Sequence, residues 1–241
     1  MSKERLDKIL ALHVTDSRRD AGVMIRRGAV AVNGEIVKKA DCKVDTQCDT
    51  VAVNGEELCI QEFLYLMMNK PAGVLSAARD ARAQTVVDLL PPEMKRRGLF
   101  PAGRLDRDTE GLLIITDDGV YAHRMLAPKS NVYKYYEAVL ARPVTTDDAA
   151  AFAGGLELHD RTCLPAKLEV LEDGEHPLVR VRIHEGKFHQ IKKMFLARNN
   201  EVLKLKRVKI GALALDTTLK SGETREMSKE EADSVFTDTE I

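Results

Sequence analysis

The stretch that decides the fold runs from Pro101 to Gly119 and reads PAGRLDRDTEGLLIITDDG. It joins a turn, a dense run of charges, an apolar strand from Leu112 and a closing Asp-Asp-Gly turn. A buried strand does not need such charges for its stability, since charges near a core are costly unless they are paired. The pattern therefore predicts a polar functional site built against a core strand.

Asp106 stands at the centre of this run, with Arg104 and Arg107 beside it. A carboxylate next to guanidinium groups stays ionised at neutral pH, so it is available as a nucleophile or a base. The same guanidinium groups attract phosphate. A surface turn with weak ion pairs is the structural alternative, but five charged residues within positions 104–110 favour a site.

A second polar segment is centred on Lys134 and contains three of the five tyrosines, at positions 133, 135 and 136. A single strand tyrosine is ordinary core or sheet packing. This concentration is more typical of base stacking or of a positioned hydroxyl.

The third segment runs from Glu185 to Phe195, and we expect a helix from about Gly186 to Arg198. The spacing of Phe188, Ile191, Met194 and Phe195 predicts one apolar helix face. Residues 187–209 hold eight lysines and arginines and one acid. The alternative is a solvated helix, but the one-sided charge favours a phosphate track or a counter-ion for a buried carboxylate.

Composition sets limits on the class of protein. The chain has 241 residues, 44% hydrophobic and 31% charged, with a net charge of −1, which indicates one or two globular domains. The sequence shows no pattern typical of a signal peptide or a membrane-spanning run, and no zinc-type cysteine spacing, phosphate loop or dinucleotide fingerprint. We therefore expect a cytoplasmic protein that has no membrane partner, no metal and no nucleotide cofactor.

The N-terminal segment is basic, because residues 1–46 hold ten lysines and arginines against seven acids. Helical spacing of apolar residues within 3–13 is followed by Ser17 as a predicted N-cap of a second helix that ends at Gly28. The sequence VAVNGE occurs at 30–35 and again at 51–56, which predicts two hairpins with Asn-Gly turns. We expect a small domain at 1–58 and a second domain at 63–241.

The second domain alternates predicted strands and helices without βαβ regularity. We expect a short helix at 84–90, a helix capped by Thr146, and a hairpin around Glu172-Asp173-Gly174. The predicted fold class is α+β, with a mixed, largely antiparallel sheet flanked by helices.

With these segments in place, the chain resembles the pseudouridine synthases, in particular the small-subunit rRNA type with an N-terminal S4-type RNA-binding domain. Gly103-Arg104-Leu105-Asp106 matches the catalytic motif of that family, and 3–50 looks like the RNA-binding module. The resemblance implies that Asp106 is the nucleophile. It also implies that Tyr136 packs on the target base and helps to move a ribose proton, and that Lys192 pairs with the nucleophile.

The resemblance also implies a reaction. A flipped uridine loses its nitrogen–carbon glycosidic bond, and the uracil rotates and reattaches through carbon, which requires neither cofactor nor metal. The expected partner is 16S rRNA, at the uridine of position 516, or a small-subunit assembly intermediate, bound by a monomer. The residues expected to contact RNA are Arg5, Arg18, Arg19, Arg26, Arg27, Arg104, Lys187, His189, Gln190 and Lys193.

Three alternatives stay open. The first is a synthase for 23S rRNA, and the second is a non-catalytic ribosome assembly factor, against which the intact Asp106, Tyr136 and Lys192 argue. The third is an aspartate-dependent nuclease or glycosidase. Glycoside hydrolysis usually needs two carboxylates, and Asp108 is the only second candidate near Asp106.

Overall fold

A computed structural model describes residues 3–15, 17–46, 48–58, 60 and 63–237. The chain divides into two compact units, Met1–Phe63 and Leu64–Ile241. In the described ranges, no helix is long and apolar enough to cross a membrane.

The N-terminal unit packs two helices against short strands. Its elements are β1 (Lys3–Arg5), α1 (Leu6–His13), α2 (Arg18–Arg26), β2 (Val30–Val32), β3 (Glu35–Ile36), β4 (Lys43–Asp45), β5 (Val51–Val53) and β6 (Glu56–Glu57). β1 pairs with β4, so residues 3–5 are a strand rather than the start of the predicted helix. The core is formed by apolar side chains of both helices and of β2, β4 and β5.

Local hydrogen bonds and backbone conformations explain where the helices and hairpins of this unit begin and end. The Ser17 hydroxyl accepts a hydrogen bond from the backbone N–H of Asp20 (3.2 Å), and Gly28 follows the second helix at φ 77°. Both predicted helix boundaries are therefore confirmed. The two predicted hairpins are also confirmed, because Asn33 and Asn54 adopt the left-handed conformation that an Asn-Gly turn requires.

The larger unit is built on one mixed sheet. Its strands are β7 (Tyr65–Lys70), β8 (Phe100–Pro101), β9 (Glu110–Thr116), β10 (Lys134–Leu140), β13 (Lys167–Glu172), β14 (Leu178–Ile183), β15 (Val202–Ile210), β16 (Leu213–Ala214) and β17 (Thr224–Glu226). A separate ribbon pairs β11 (Glu157–Leu158) with β12 (Arg161–Thr162). The helices are α3 (Gly119–Leu126), α4 (Thr146–Gly154), α5 (Gln190–Ala197) and α6 (Lys229–Asp233), with 3-10 turns at Pro92–Met94, Pro128–Ser130 and Ser234–Phe236.

The strand order is β13-β14-β10-β15-β9-β7-β17, with β8 added to β9 and β16 added to β15. β15 and β9 are parallel, whereas the other pairs in this order are antiparallel. The predicted α+β class with a mixed, largely antiparallel sheet is thus confirmed. One core includes Phe152 of α4 and Ile191 and Phe195 of α5. A second core includes Tyr121 of α3 and Ala232 of α6.

Two further predicted details are wrong. Residues 84–90 form no helix, because the backbone of Gln84 and Val86 is bonded to Leu75 instead. The cap of α4 is Thr145, whose N–H and hydroxyl bind Asp148 in a capping box, rather than Thr146. The Asp-Asp-Gly stretch ends β9 and also begins α3, since Asp118 accepts the N–H of Tyr121.

The parallel contact between β9 and β15 depends on a glycine. Gly111 has φ 99°, and a Cβ placed on it would lie 2.2 Å from the carbonyl oxygen of Arg207. Only a residue without a side chain fits both the conformation and the gap. Gly111 therefore permits the close approach that brings β15 alongside the strand that follows Asp106.

Candidate active site

Asp106 lies on the loop that connects β8 to β9, and its side chain is 24% exposed. Gly103 turns the chain into this loop with φ 98°, a conformation that favours glycine. Leu105 packs into the core on one side of Asp106. The loop is therefore anchored next to the aspartate while the carboxylate reaches solvent.

Lys70, at the end of β7, holds the Asp106 loop from below and is fully buried. Its ammonium donates hydrogen bonds to the carbonyls of Thr109 (2.9 Å), Asp106 (3.2 Å) and Arg107 (3.3 Å), and to that of Pro71 (2.9 Å). Burial lowers the pKa of Lys70 to about 8, against the opposing effect of the nearby acids. The ammonium of Lys70 thus stabilises the backbone of the loop.

A second set of hydrogen bonds joins the same loop to the turn after β7. The hydroxyl of Ser76 donates to the carbonyl of Leu105 (2.8 Å) and accepts the N–H of the same residue (3.1 Å). The N–H of Gly73 binds the carbonyl of Arg107, whose side-chain Nε donates back to the Gly73 carbonyl. These bonds fix the backbone on both sides of Asp106.

The Asp106 carboxylate faces two cationic or potentially cationic side chains from the α5 region. Nε2 of His189 lies 3.5 Å from Oδ1, and Nζ of Lys192 lies 4.0 Å from Oδ2. The charge run around Asp106 had indicated Arg104 and Arg107 as its neighbours, whereas the resemblance had indicated Lys192. Arg107 is bound to Gly73, and Arg104 is exposed and forms no ion pair in the described part of the chain. The partners of Asp106 therefore come from a distant segment.

Lys192 is shared between two aspartates and is closer to the second. Its Nζ lies 2.6 Å from both carboxylate oxygens of Asp108. The hydrogen bond from Lys192 lowers the pKa of Asp108 below its usual value. The contact with Asp106 expected from the resemblance exists only as the longer 4.0 Å approach.

Tyr136 forms one wall of a small inner cavity that also reaches Asp106. The cavity measures about 50 Å³ and is further lined by Ile183, Ile191 and Leu205. Arg207 lies behind this wall with its guanidinium carbon 6.0 Å from the centroid of the Tyr136 ring. Arg207 is buried and donates to the Leu112 carbonyl, so it does not belong to the surface track suggested by the sequence.

An outer cleft of about 690 Å³ opens beside the inner cavity. Both are lined by Arg104, Leu105, Asp106, Gly186, Lys187 and His189. His189 has φ 52°, a left-handed conformation that is costly for a side chain and that is often found at functional sites. This turn delays the start of α5 to Gln190, so the predicted start near Gly186 is wrong.

In the second unit, the other residues expected to contact RNA are either lysines paired with an acid or, in the case of Gln190, buried. The ammonium of Lys187 pairs with Glu185 (2.9 Å) and that of Lys193 pairs with Asp160 (3.0 Å). Gln190 is buried, and its amide binds Glu185 and the backbone of Lys187. The cations near α5 are thus largely paired, and Gln190 supports the 185–187 turn from inside.

In the N-terminal unit, the predicted RNA contacts are mostly exposed. Arg5 is bound to Asp7 through Nε and Nη2 (3.0 and 2.7 Å). Arg18 approaches the same carboxylate at 3.9 Å. Arg18, Arg19, Arg26 and Arg27 all lie on or directly after α2 and are exposed.

Sequence reasoning missed Lys70 and Ser76. A lysine two positions after an apolar run and immediately before a proline is the available signal for the first. Nothing local marks Ser76, because its partner is 29 positions away. The described residues contain no cluster of three or more acidic, His or Cys side chains that could hold a metal.

The chain is similar to known proteins over nearly its whole length. Residues 64–197 match the family described as RNA pseudouridylate synthase, and residues 4–51 match the S4 domain. An uncharacterized RNA pseudouridine synthase of Bacillus subtilis is 45% identical, covering 94% of this chain and 96% of its own. The ribosomal small subunit pseudouridine synthase A of Escherichia coli is 42% identical, covering 96% and 99%.

A solved structure agrees. A crystal structure of a pseudouridylate synthase superimposes with a TM-score of 0.67 at 38% identity, covering 96% of this chain and 99% of that one. The aspartate loop, the tyrosine wall and these matches lead to one conclusion: the chain belongs to the RNA pseudouridylate synthase family, whose members isomerise uridine to pseudouridine, and it carries an N-terminal S4 domain.

Proposed function

We propose that this enzyme converts one uridine of 16S rRNA to pseudouridine with Asp106 as the nucleophile. The observation that carries the proposal is the Asp106 carboxylate, which lies where the inner cavity meets the outer cleft, beside His189 and Lys192. The small subunit is favoured because several relatives that match 96% of the chain are named ribosomal small subunit pseudouridine synthase A.

The reaction conserves atoms and electrons. The Asp106 carboxylate attacks C1′ of the ribose as the bond between C1′ and N1 of uracil breaks. The uracil then rotates, and C5 bonds to C1′ as the bond from C1′ to Asp106 breaks. The hydrogen of C5 leaves as a proton and N1 gains one, so no oxidant or reductant is needed. Tyr136 packs against the base and assists proton movement at the ribose, while Lys192 and His189 stabilise the charge of the carboxylate.

The inner cavity must widen when a base enters. Its volume of about 50 Å³ is smaller than the ~150 Å³ of a protein cavity that binds benzene, another six-membered ring. A flipped uracil therefore displaces side chains at the mouth. Arg104 is exposed there and is suited to hold phosphate or to fill the vacated stack.

The target that we propose is the uridine at position 516, in naked 16S rRNA or in a small-subunit assembly intermediate, within the cytoplasm. In the N-terminal unit, the exposed arginines of α2 and Arg5 bind RNA. In the second unit, Lys187 and Lys193 bind RNA beside the cleft, and the buried Gln190 holds the 185–187 turn for that contact. We expect the enzyme to act as a monomer. The experiment below also tests the two alternatives. Activity on 23S rRNA would indicate a 23S rRNA synthase, and no activity on either rRNA would indicate a non-catalytic assembly factor.

Tritium release tests the proposal. Transcripts of 16S and 23S rRNA labelled at C5 of uridine lose tritium only when C5 bonds to ribose. We expect release from 16S rRNA by the wild type and none by Asp106→Asn, with the same circular dichroism and RNA affinity. Asp108→Asn, which changes the neighbouring carboxylate, is the matched control and stays active. Release by Asp106→Asn at the wild-type rate, or free uracil as product, would contradict the proposal.

A further inference from the structure

Phe188 occupies a position that the sequence does not predict. Its spacing with Ile191 suggested a place in the apolar face of a helix, but the left-handed turn at His189 places Phe188 outside α5. Its side chain is 65% exposed. An aromatic ring is thus held at the surface by the same turn that brings His189 to Asp106.

Exposure alone is ordinary, since single apolar residues are common on protein surfaces. Leu196 on α5 is 69% exposed and does not line the cleft. Phe188 differs because it lines the outer cleft together with Asp106 and Arg104. Its location at the active-site entrance, rather than its exposure, calls for an explanation.

The Phe188 ring is already part of a stack. It lies on the imidazole of His189 with centroids 3.8 Å apart and planes inclined by 18°. The imidazole in turn approaches the Asp106 carboxylate. One face of the Phe188 ring is therefore covered by His189, and the rest of the ring remains accessible to a further flat group.

The surroundings of the ring fit a nucleotide. The outer cleft shares six lining residues with the inner cavity, so a base in the cleft lies directly beside a base in the cavity. The exposed guanidinium of Arg104 borders both spaces, and Nζ of Lys193 lies 5.9 Å from the ring centroid. Aromatic platforms flanked by cations are typical of sites for unpaired RNA.

We propose that Phe188 binds, by stacking, the nucleobase adjacent to the target uridine in the RNA. The base extends the column formed by Phe188 and His189, while the target base enters the inner cavity next to Asp106. This inference deepens the proposed function and rests on it. Phe188 then contributes to the affinity for RNA in which both the target base and the base next to it are unstacked from the rest of the strand.

Two substitutions at Phe188 separate stacking from bulk. Phe188→Leu keeps an apolar side chain but removes the ring, whereas Phe188→Tyr keeps the ring. For a 16S rRNA fragment that contains the target, we expect Phe188→Leu to raise Kd and KM about tenfold, the usual scale for one stacked base. The fall in kcat should be much smaller, and Phe188→Tyr should restore binding. Leu196→Ala, an exposed apolar control on α5, should bind as the wild type does.

A photochemical measurement locates the base. Fragments that carry 5-iodouridine on the 5′ or the 3′ side of the target are irradiated with the enzyme, and the linked peptide is identified by mass spectrometry. We expect one of the two fragments to cross-link to Phe188, and the cross-link to disappear in Phe188→Leu.

The inference is overturned if Phe188→Leu binds the fragment as tightly as the wild type. It is also overturned if kcat falls while Kd is unchanged, because Phe188 would then act only by holding His189. Failure of the proposed function looks different, since the wild type would release no tritium from the fragment. The Kd series and the cross-link still decide the role of Phe188 in that case.

Discussion

At the scale of single residues, the site depends on how two lysines are used. Lys70 is buried and binds four backbone carbonyls, so it shapes the loop on which Asp106 lies. Lys192 is partly exposed and lies between Asp106 and Asp108. The first positions Asp106 through the backbone of its loop, and the second acts on the charge of the Asp106 carboxylate.

The buried Lys70 predicts a pH dependence of stability. Its pKa is about 8 in the folded protein and near 10.5 in the unfolded chain, so the unfolded chain binds more protons between these values. Stability from this residue therefore rises with pH from about 8 upward and is flat below. We expect the free energy of unfolding of wild type minus Lys70→Met, from urea titrations, to rise between pH 8 and 9.5. A difference that is constant over this range would contradict the account.

From the position of Lys192 between Asp106 and Asp108, we expect the two aspartates to differ in their effect on kcat. Lys192→Met should lower kcat at least tenfold, because a charge-assisted contact of about 1.5 kcal/mol or more with Asp106 is lost in the reaction. Lys192→Arg should retain most of the rate. Asp108→Asn should change kcat less than about threefold, because Lys192 then moves toward Asp106. Tritium-release kinetics measure all three variants, and inactivity of Asp108→Asn would favour the two-carboxylate alternative.

At the scale of elements, local signals were sufficient where turns decide the structure. The Asn-Gly hairpins, the Ser17 cap and the β13–β14 hairpin follow from residues within a few positions of one another. Prediction failed where distant contacts decide. The backbones of Gln84 and Val86 are bonded to Leu75, and His189 adopts a left-handed conformation that brings it to Asp106. Such contacts leave no periodic signal in the sequence.

The parallel strand contact gives an element-scale prediction. Gly111→Ala would push a Cβ into the Arg207 carbonyl, so we expect a loss of at least about 3 kcal/mol of unfolding free energy or failure to fold. Gly119→Ala is the matched control, because Gly119 begins α3 and has open space around it. Its unfolding free energy should change by less than about 1 kcal/mol. Equal stability of the two variants in urea would refute the close-approach argument.

At the scale of the whole molecule, three segments far apart in sequence line the outer cleft. They lie after β7, between β8 and β9, and before α5. Tyr136 of β10 and Lys192 of α5 complete the site. The sequence identified Asp106, Tyr136 and Lys192 as candidates through their motifs. It could not show that Lys192 is closer to Asp108, or that Gln190 is buried, because both depend on packing.

Charge distribution gives a prediction for RNA docking. The net charge of −1 conceals a group of exposed arginines on α2. Replacing Arg18, Arg19, Arg26 and Arg27 with Ala should weaken binding of 16S rRNA and flatten the plot of log Kd against log salt concentration. Each lost phosphate contact should reduce the slope by about 0.7 to 0.9. An unchanged slope, with the fold intact by circular dichroism, would exclude α2 as a docking element.

The most direct test of the central claim is carbodiimide-based mapping of pseudouridine in 16S and 23S rRNA from cells that lack this protein. The cells are complemented with the wild type or with Asp106→Asn. We expect one missing site in 16S rRNA, at position 516, that the wild type restores and Asp106→Asn does not. A missing site in 23S rRNA would overturn the substrate. No missing site, or restoration by Asp106→Asn, would contradict the claim that this enzyme modifies rRNA through Asp106.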